Sequence, residues 1–137
     1  MSLQDLAIKA VEALSTELDP LVKRYGFNVK LRHSNPEVYS EVLGYEIGAY
    51  EVEITACLHP HDYPQQFSVR FIEKMPGAWR YANLEELLEL FKDRPKQNHY
   101  IFPISTSEQL SDSCKKLAGV MNTILSNKLY KNASSYH

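Results

Sequence analysis

The stretch CLHPHDYP, Cys57 to Pro64, places a thiol, two imidazoles and a carboxylate within six positions. His59 and His61, with Asp62 beside them, are the residue types that chelate a divalent ion, so they are the candidate ligands of a metal-binding protein or a metal-dependent enzyme. A metal needs three or four converging ligands. The remaining histidines, His33, His99 and His137, stand alone, and the chain has no HExxH and no CxxC pair. Pro60 and Pro64 bracket the histidines in what reads as a hairpin loop, where polar residues are expected on conformational grounds. The loop reading is preferred and metal binding is its alternative. Cys57 as a nucleophile would need a base and positive surroundings to hold a thiolate, yet its strand neighbours Glu51 and Glu53 are acids. GxxxxGK[ST], GxGxxG and GxSxG are absent as motifs. No catalytic residue and no cofactor is assigned, and the balance leans against an enzyme.

Carboxylates supply the second candidate site. No Lys or Arg occurs between Arg32 and Arg70, while Glu37, Glu41, Glu46, Glu51, Glu53 and Asp62 all fall there. Acids gathered on one surface attract cationic partners and repel nucleic-acid phosphate. Tyrosine and tryptophan are interface-enriched types, and Tyr39, Tyr45, Tyr50, Tyr63, Trp79, Tyr81 and Tyr100 cluster around the same region. An aromatic surface interleaved with acids is wrong for single-stranded nucleic acid. It suits a basic protein. The expected partner-binding set is Glu41, Glu46, Glu51, Glu53, Asp62 and Tyr63. Charge reversal at Glu51 and Glu53 is expected to weaken capture with little effect on stability. Lys23, Arg24, Lys30 and Arg32 precede the block and Arg70, Lys74 and Arg80 follow it, so neutralisation depends on how the chain folds back.

The elements that position these groups follow from hydrophobic period. Leu3, Ala7, Ala10, Leu14, Leu18, Leu21 and Tyr25 recur at helical spacing, interrupted by Asp19-Pro20 at a kink or a second N-cap. Gly26 ends the helix with Phe27 as its apolar contact. Alternation then begins: Phe27, Val29 and Leu31; Leu43, Tyr45 and Ile47; Val52, Ile54, Ala56 and Leu58; Phe67, Val69 and Phe71 mark the inner positions of four strands. Ser34 to Glu37 and the HPHD loop are the turns. MPGAW, Met75 to Trp79, reads as a turn into a helix that Asn83 and Glu86 cap reciprocally, with Leu84, Leu87, Leu88 and Phe91 as its stripe. Tyr100 to Ile104 suggests an edge strand because of Pro103. Ser105 with Glu108 has capping-box spacing before a last helix carrying Leu110, Cys114, Leu117, Met121, Ile124 and Leu125, where Cys114 reads as core.

Helices segregated from strands predict an α+β domain, an antiparallel meander of about four strands covered on one face by the N-terminal helix and two C-terminal helices. Residues 1–130 form one domain, and 131–137 read as a frayed tail. A chain of 137 residues, 44% apolar and 23% charged, is one globular domain with no run long enough to span a bilayer. Two unpaired cysteines and an N-terminus unlike a secretory signal favour a cytoplasmic address. No nucleic acid or membrane partner is expected, and a homodimer is compatible.

The layout LDPLVKRYGF, then strands, then WRYANLEELLELF and a final helix, resembles small bacterial proteins that include the immunity proteins of polymorphic toxin systems. The resemblance implies a protein that binds a cognate toxin and blocks its active site, through an acidic face when the toxin is a basic nuclease. A dimer like the secretion chaperones, which also combine α+β folds with acidic surfaces, is a related alternative. The leading expectation is a non-enzymatic binding protein for a basic partner.

Overall fold

A computed structural model describes residues 2–60, 65–89 and 101–135. Helix α1, Leu3–Arg24, opens with a reciprocal cap: the Ser2 hydroxyl accepts from the Asp5 N–H at 3.1 Å and the Asp5 carboxylate from the Ser2 N–H at 3.3 Å. It runs unbroken through Pro20. Pro20 and Thr16, whose carbonyl loses its helical donor, are both exposed, so water can satisfy that carbonyl. At the other end the Phe27 N–H donates to the Val22 carbonyl at 2.9 Å and the Gly26 N–H to that of Lys23 at 3.0 Å. These are the two bonds of a Schellman cap, with Gly26 at φ 90°. Buried Phe27 and Val22 close its apolar side.

Five strands follow: β1 Asn28–Asn35, β2 Ser40–Ile47, β3 Tyr50–Cys57, β4 Phe67–Met75 and β5 Ala78–Asn83, with a 3-10 turn at Pro36–Val38 between the first two. All neighbours pair antiparallel in the order β1-β2-β3-β4-β5, the expected meander with one strand more. The addition is β5, where a turn leading directly into a helix was expected. Met75 pairs with Ala78 across Pro76-Gly77, and Gly77 at φ 78° is the left-handed third residue that a type II turn requires. Helix α2, Leu84–Leu88, then starts where its cap predicted, the Asn83 side chain accepting from the Glu86 N–H at 2.8 Å. Phe91 lies outside the described residues.

Helix α3, Ser107–Ser126, is capped one residue later than Ser105 and Glu108 suggested: Thr106 and Gln109 exchange the two capping bonds at 3.1 and 3.2 Å. The expected edge strand is reduced to a single bridge between Gln66 and Pro103, where the Phe67 N–H donates to the Phe102 carbonyl at 3.0 Å. A 3-10 segment spans Leu129–Ser135. Thus 3-10 turns occupy part of the stretch that read as a frayed tail.

Side-chain alternation divides the sheet cleanly. Leu43 and Tyr45 of β2, Val52, Ile54 and Ala56 of β3, and Phe67 and Phe71 of β4 are buried on one face. There α1 packs over β2 and β3, α3 packs on α1, and Leu129–Ser135 rests against β4 and β5. The Tyr45 hydroxyl donates to Asp19 Oδ1 at 2.5 Å, joining sheet to helix. Burial and the neighbouring Asp19 charge hold that phenol well above its usual range. Tyr130 closes the far end, its ring edge-on to Phe27 at 5.1 Å and to Tyr50 at 5.3 Å. Cys114 is buried as core, and burial followed by the Glu17 charge pushes its thiol up to about 11.

Candidate functional site

The opposite sheet face is uncovered among the described residues, and strand order sets its chemistry. Register places Glu46 of β2, Glu51 and Glu53 of β3, Arg70, Ile72 and Lys74 of β4, and Trp79 and Tyr81 of β5 on it. Lys30 joins from the irregularity between Val29 and Leu31, where β1 slips register against β2. A bulge re-aims a side chain, and here Lys30 reaches across to β3.

Glu51 organises this surface. It is 3% exposed, and the ammonium groups of Lys30 and Lys74 both donate to its Oε1. Burial pushes the carboxyl up, but the bonds and charges of the two lysines outweigh it and hold Glu51 below the usual range. Lys74 is raised in turn, first by its bond to Glu51. The Lys74 ammonium also lies 5.0 Å from the centre of the Trp79 ring, within cation–π range. One residue pair along, Arg70 Nη2 meets Glu53 Oε2 at 2.6 Å and its guanidinium lies 4.9 Å from the Tyr81 ring centre. Ile72, 1% exposed, fills the space between these two groups.

The resulting pattern runs in rows: a cation on β1, acids on β2 and β3, cations on β4, aromatics on β5. Trp79 is 53% exposed despite its size. Glu46 faces Glu51 directly across β2 and β3. Like charges so placed repel, and the two lysines offset that repulsion.

This arrangement changes the expected binding set. Glu41 does not belong to the uncovered face. It shares the alternation of Leu43 and Tyr45 and is buried on the helix side, where the Ser34 hydroxyl donates to it at 2.5 Å and Arg32 Nε lies 3.8 Å away. Glu51 and Glu53 do share the uncovered face, with Glu46, but both are neutralised by cations from β1 and β4. Glu51 is therefore a structural carboxylate, so its reversal is not the stability-neutral change expected. Asp62 and Tyr63 lie outside the described residues. Sequence reasoning passed over Lys30, Lys74 and Trp79 as binding residues. The available signal was the alternation of Trp79 and Tyr81 with Ala78, Arg80 and Ala82.

At the end of β3 the expected metal ligands are only partly in view. His59 stacks on Tyr39 with ring centres 5.9 Å apart, and the Cys57 thiol lies 3.5 Å from the Val38 carbonyl. Tyr39 is held at φ 52°, a left-handed conformation unusual for a residue with a side chain. His61 and Asp62 lie outside the described residues. Among the described residues no three His, Cys, Asp or Glu side chains come together as a metal site would require. A groove of about 350 Å³ between the N-terminal ends of α1 and α3 is lined by Leu3, Leu6, Leu58, Ile104 and Leu110 with Lys9 at its edge. Among the described residues no acid or histidine lines it, so they supply no paired acid and base for proton transfer.

Comparison with known proteins adds no constraint: no family model, curated protein or solved structure matches the chain.

Proposed function

We propose that this chain is a non-enzymatic protein-binding domain that docks its partner on the uncovered sheet face, with Trp79 as the anchor. The observation that carries the reading is the linkage Lys30–Glu51–Lys74–Trp79, which crosses β1, β3, β4 and β5 and ends on a half-exposed indole. An exposed tryptophan is a costly surface residue, whereas at an interface it is among the strongest contributors to affinity. Holding the ring against a lysine that is itself fixed reduces the ordering cost of association. Arg70 does the same for Tyr81 beside it.

Glu46, Glu51 and Glu53 are balanced on this face by Lys30, Arg70 and Lys74. A basic partner is received by the β2–β3 half, where Glu46 makes no ion pair with a described residue. An immunity protein capping a basic toxin is a specific form of this reading. Among the described residues no helix is long and apolar enough to cross a membrane, which is compatible with the cytoplasmic address proposed for it.

The test is partner capture by the immobilised wild-type chain and by Trp79→Ala, each checked for folding by circular dichroism. Loss of at least about 2 kcal/mol of affinity, roughly thirtyfold, at unchanged melting temperature supports the reading. Equal capture by both chains overturns it.

A further inference from the structure

We infer that the uncovered face is self-complementary and that the partner it fits is a second copy of this chain, the two sheets packed face to face about a two-fold axis lying between β3 and β4 and parallel to them. This rests on the reading that the face docks protein. Strand order supplies the argument. A rotation about that axis lays β3 of one copy over β4 of the other and β2 over β5, so Glu53 of each copy meets Arg70 of the other, and Glu51 meets Ile72. Glu53 and Arg70 occupy the same register position. At the axis they form a square with Arg70 and Glu53 of the second copy, in which each charge has opposite neighbours within and across the chains. Glu46 shares a register row with Tyr81 through Glu51 and Ile72, so the rotation sets the two against each other across the interface.

Two further properties favour this occupant. A face of one sign repels its own copy, but here three acids, Glu46, Glu51 and Glu53, are matched by three cations, Lys30, Arg70 and Lys74. The area fits a transient pair. The rotation overlaps β2 to β5 and leaves β1 beyond the edge of the other copy; strands of about eight residues are about 26 Å long and four side by side span about 19 Å, so each copy offers roughly 500 Å². Two such faces reach about 1,000 Å², the size of weak, transient interfaces. Ion pairs at the centre gain little after desolvation. The pairing is consequently weak, reversible and salt-sensitive.

Sedimentation equilibrium of the purified full chain at low salt should give twice the 15.8 kDa chain mass at high concentration, falling toward one chain as salt shortens the screening length. The doubly reversed variant Glu53→Arg/Arg70→Glu keeps its internal ion pair with inverted sign. It should pair with itself but not with differently tagged wild type, since Glu53 would then face a glutamate. Ser68→Arg, at an exposed position on the same face, should reduce self-association without requiring any buried group to change. A wild-type chain of single mass at every concentration overturns self-pairing, and so does a reversed chain that pairs equally with wild type and with itself. Neither result touches the docking of a different protein, which the Trp79→Ala capture tests separately.

Discussion

Replacing Glu51 by Gln keeps the shape of the side chain and removes the one charge on which Lys30 and Lys74 converge. Breaking a fully buried ion pair costs about 3–5 kcal/mol. The lysine side chains here are each 32% exposed and can turn to water, which reduces the cost, while a hydrogen bond to a charged group contributes about 1.5–3 kcal/mol. The expected loss is about 2 kcal/mol, or a fall of about 7 °C in Tm for a domain of this size. Chemical denaturation of both chains between pH 3 and 8 measures it. Glu51 is held below its ordinary value of 4.5 in the folded state, so it binds fewer protons folded than unfolded. Its stabilisation is fully present above the unfolded value and is lost as pH falls through the lower folded one. The two chains should thus differ at neutral pH and converge in acid. A difference near zero at pH 7, or one that does not change with pH, would refute the role given to Glu51.

Two further outcomes follow from other parts of the molecule. Purified wild-type chain should carry no stoichiometric metal, and His59→Ala/His61→Ala should leave metal content and melting unchanged; one bound metal lost in that variant would restore the HPHD loop as the functional site. Gly26→Ala should cost about 1–2 kcal/mol in urea denaturation, because its φ of 90° suits only glycine and the added Cβ would lie 3.2 Å from Ile47 Cδ1. A neutral effect would mean that α1 does not depend on this cap.

Which features were legible follows from the kind of signal each carries. Alternating Glu51, Val52, Glu53 and Ile54 marks β3 because every second residue is large and apolar. In β5 the inward positions are Ala78, Arg80 and Ala82, which have too little apolar contrast to reveal a strand. Asn83 and Glu86 identify a cap by spacing, whereas Ser105-Thr106 offers two adjacent cap residues, and only the backbone selects Thr106. The acid-rich block is plain in the sequence, but its neutralisation is tertiary: Lys30 reaches Glu51 through a register slip that no local pattern records. Glu41 is a different case. Its alternation with Leu43 and Tyr45 places it on the inner face, a phase that the acid-rich composition of the segment does not carry.

The most direct test of the docking face is site-specific photo-crosslinking. A benzoylphenylalanine replaces Tyr81, beside Trp79 on the uncovered face, in one chain and exposed Lys115 of α3 in another, and both are irradiated in native lysate and as pure protein. A discrete adduct is expected from position 81, its mass distinguishing a second copy from another protein, and none from position 115. Adducts from position 115 with none from position 81 would contradict docking on this face.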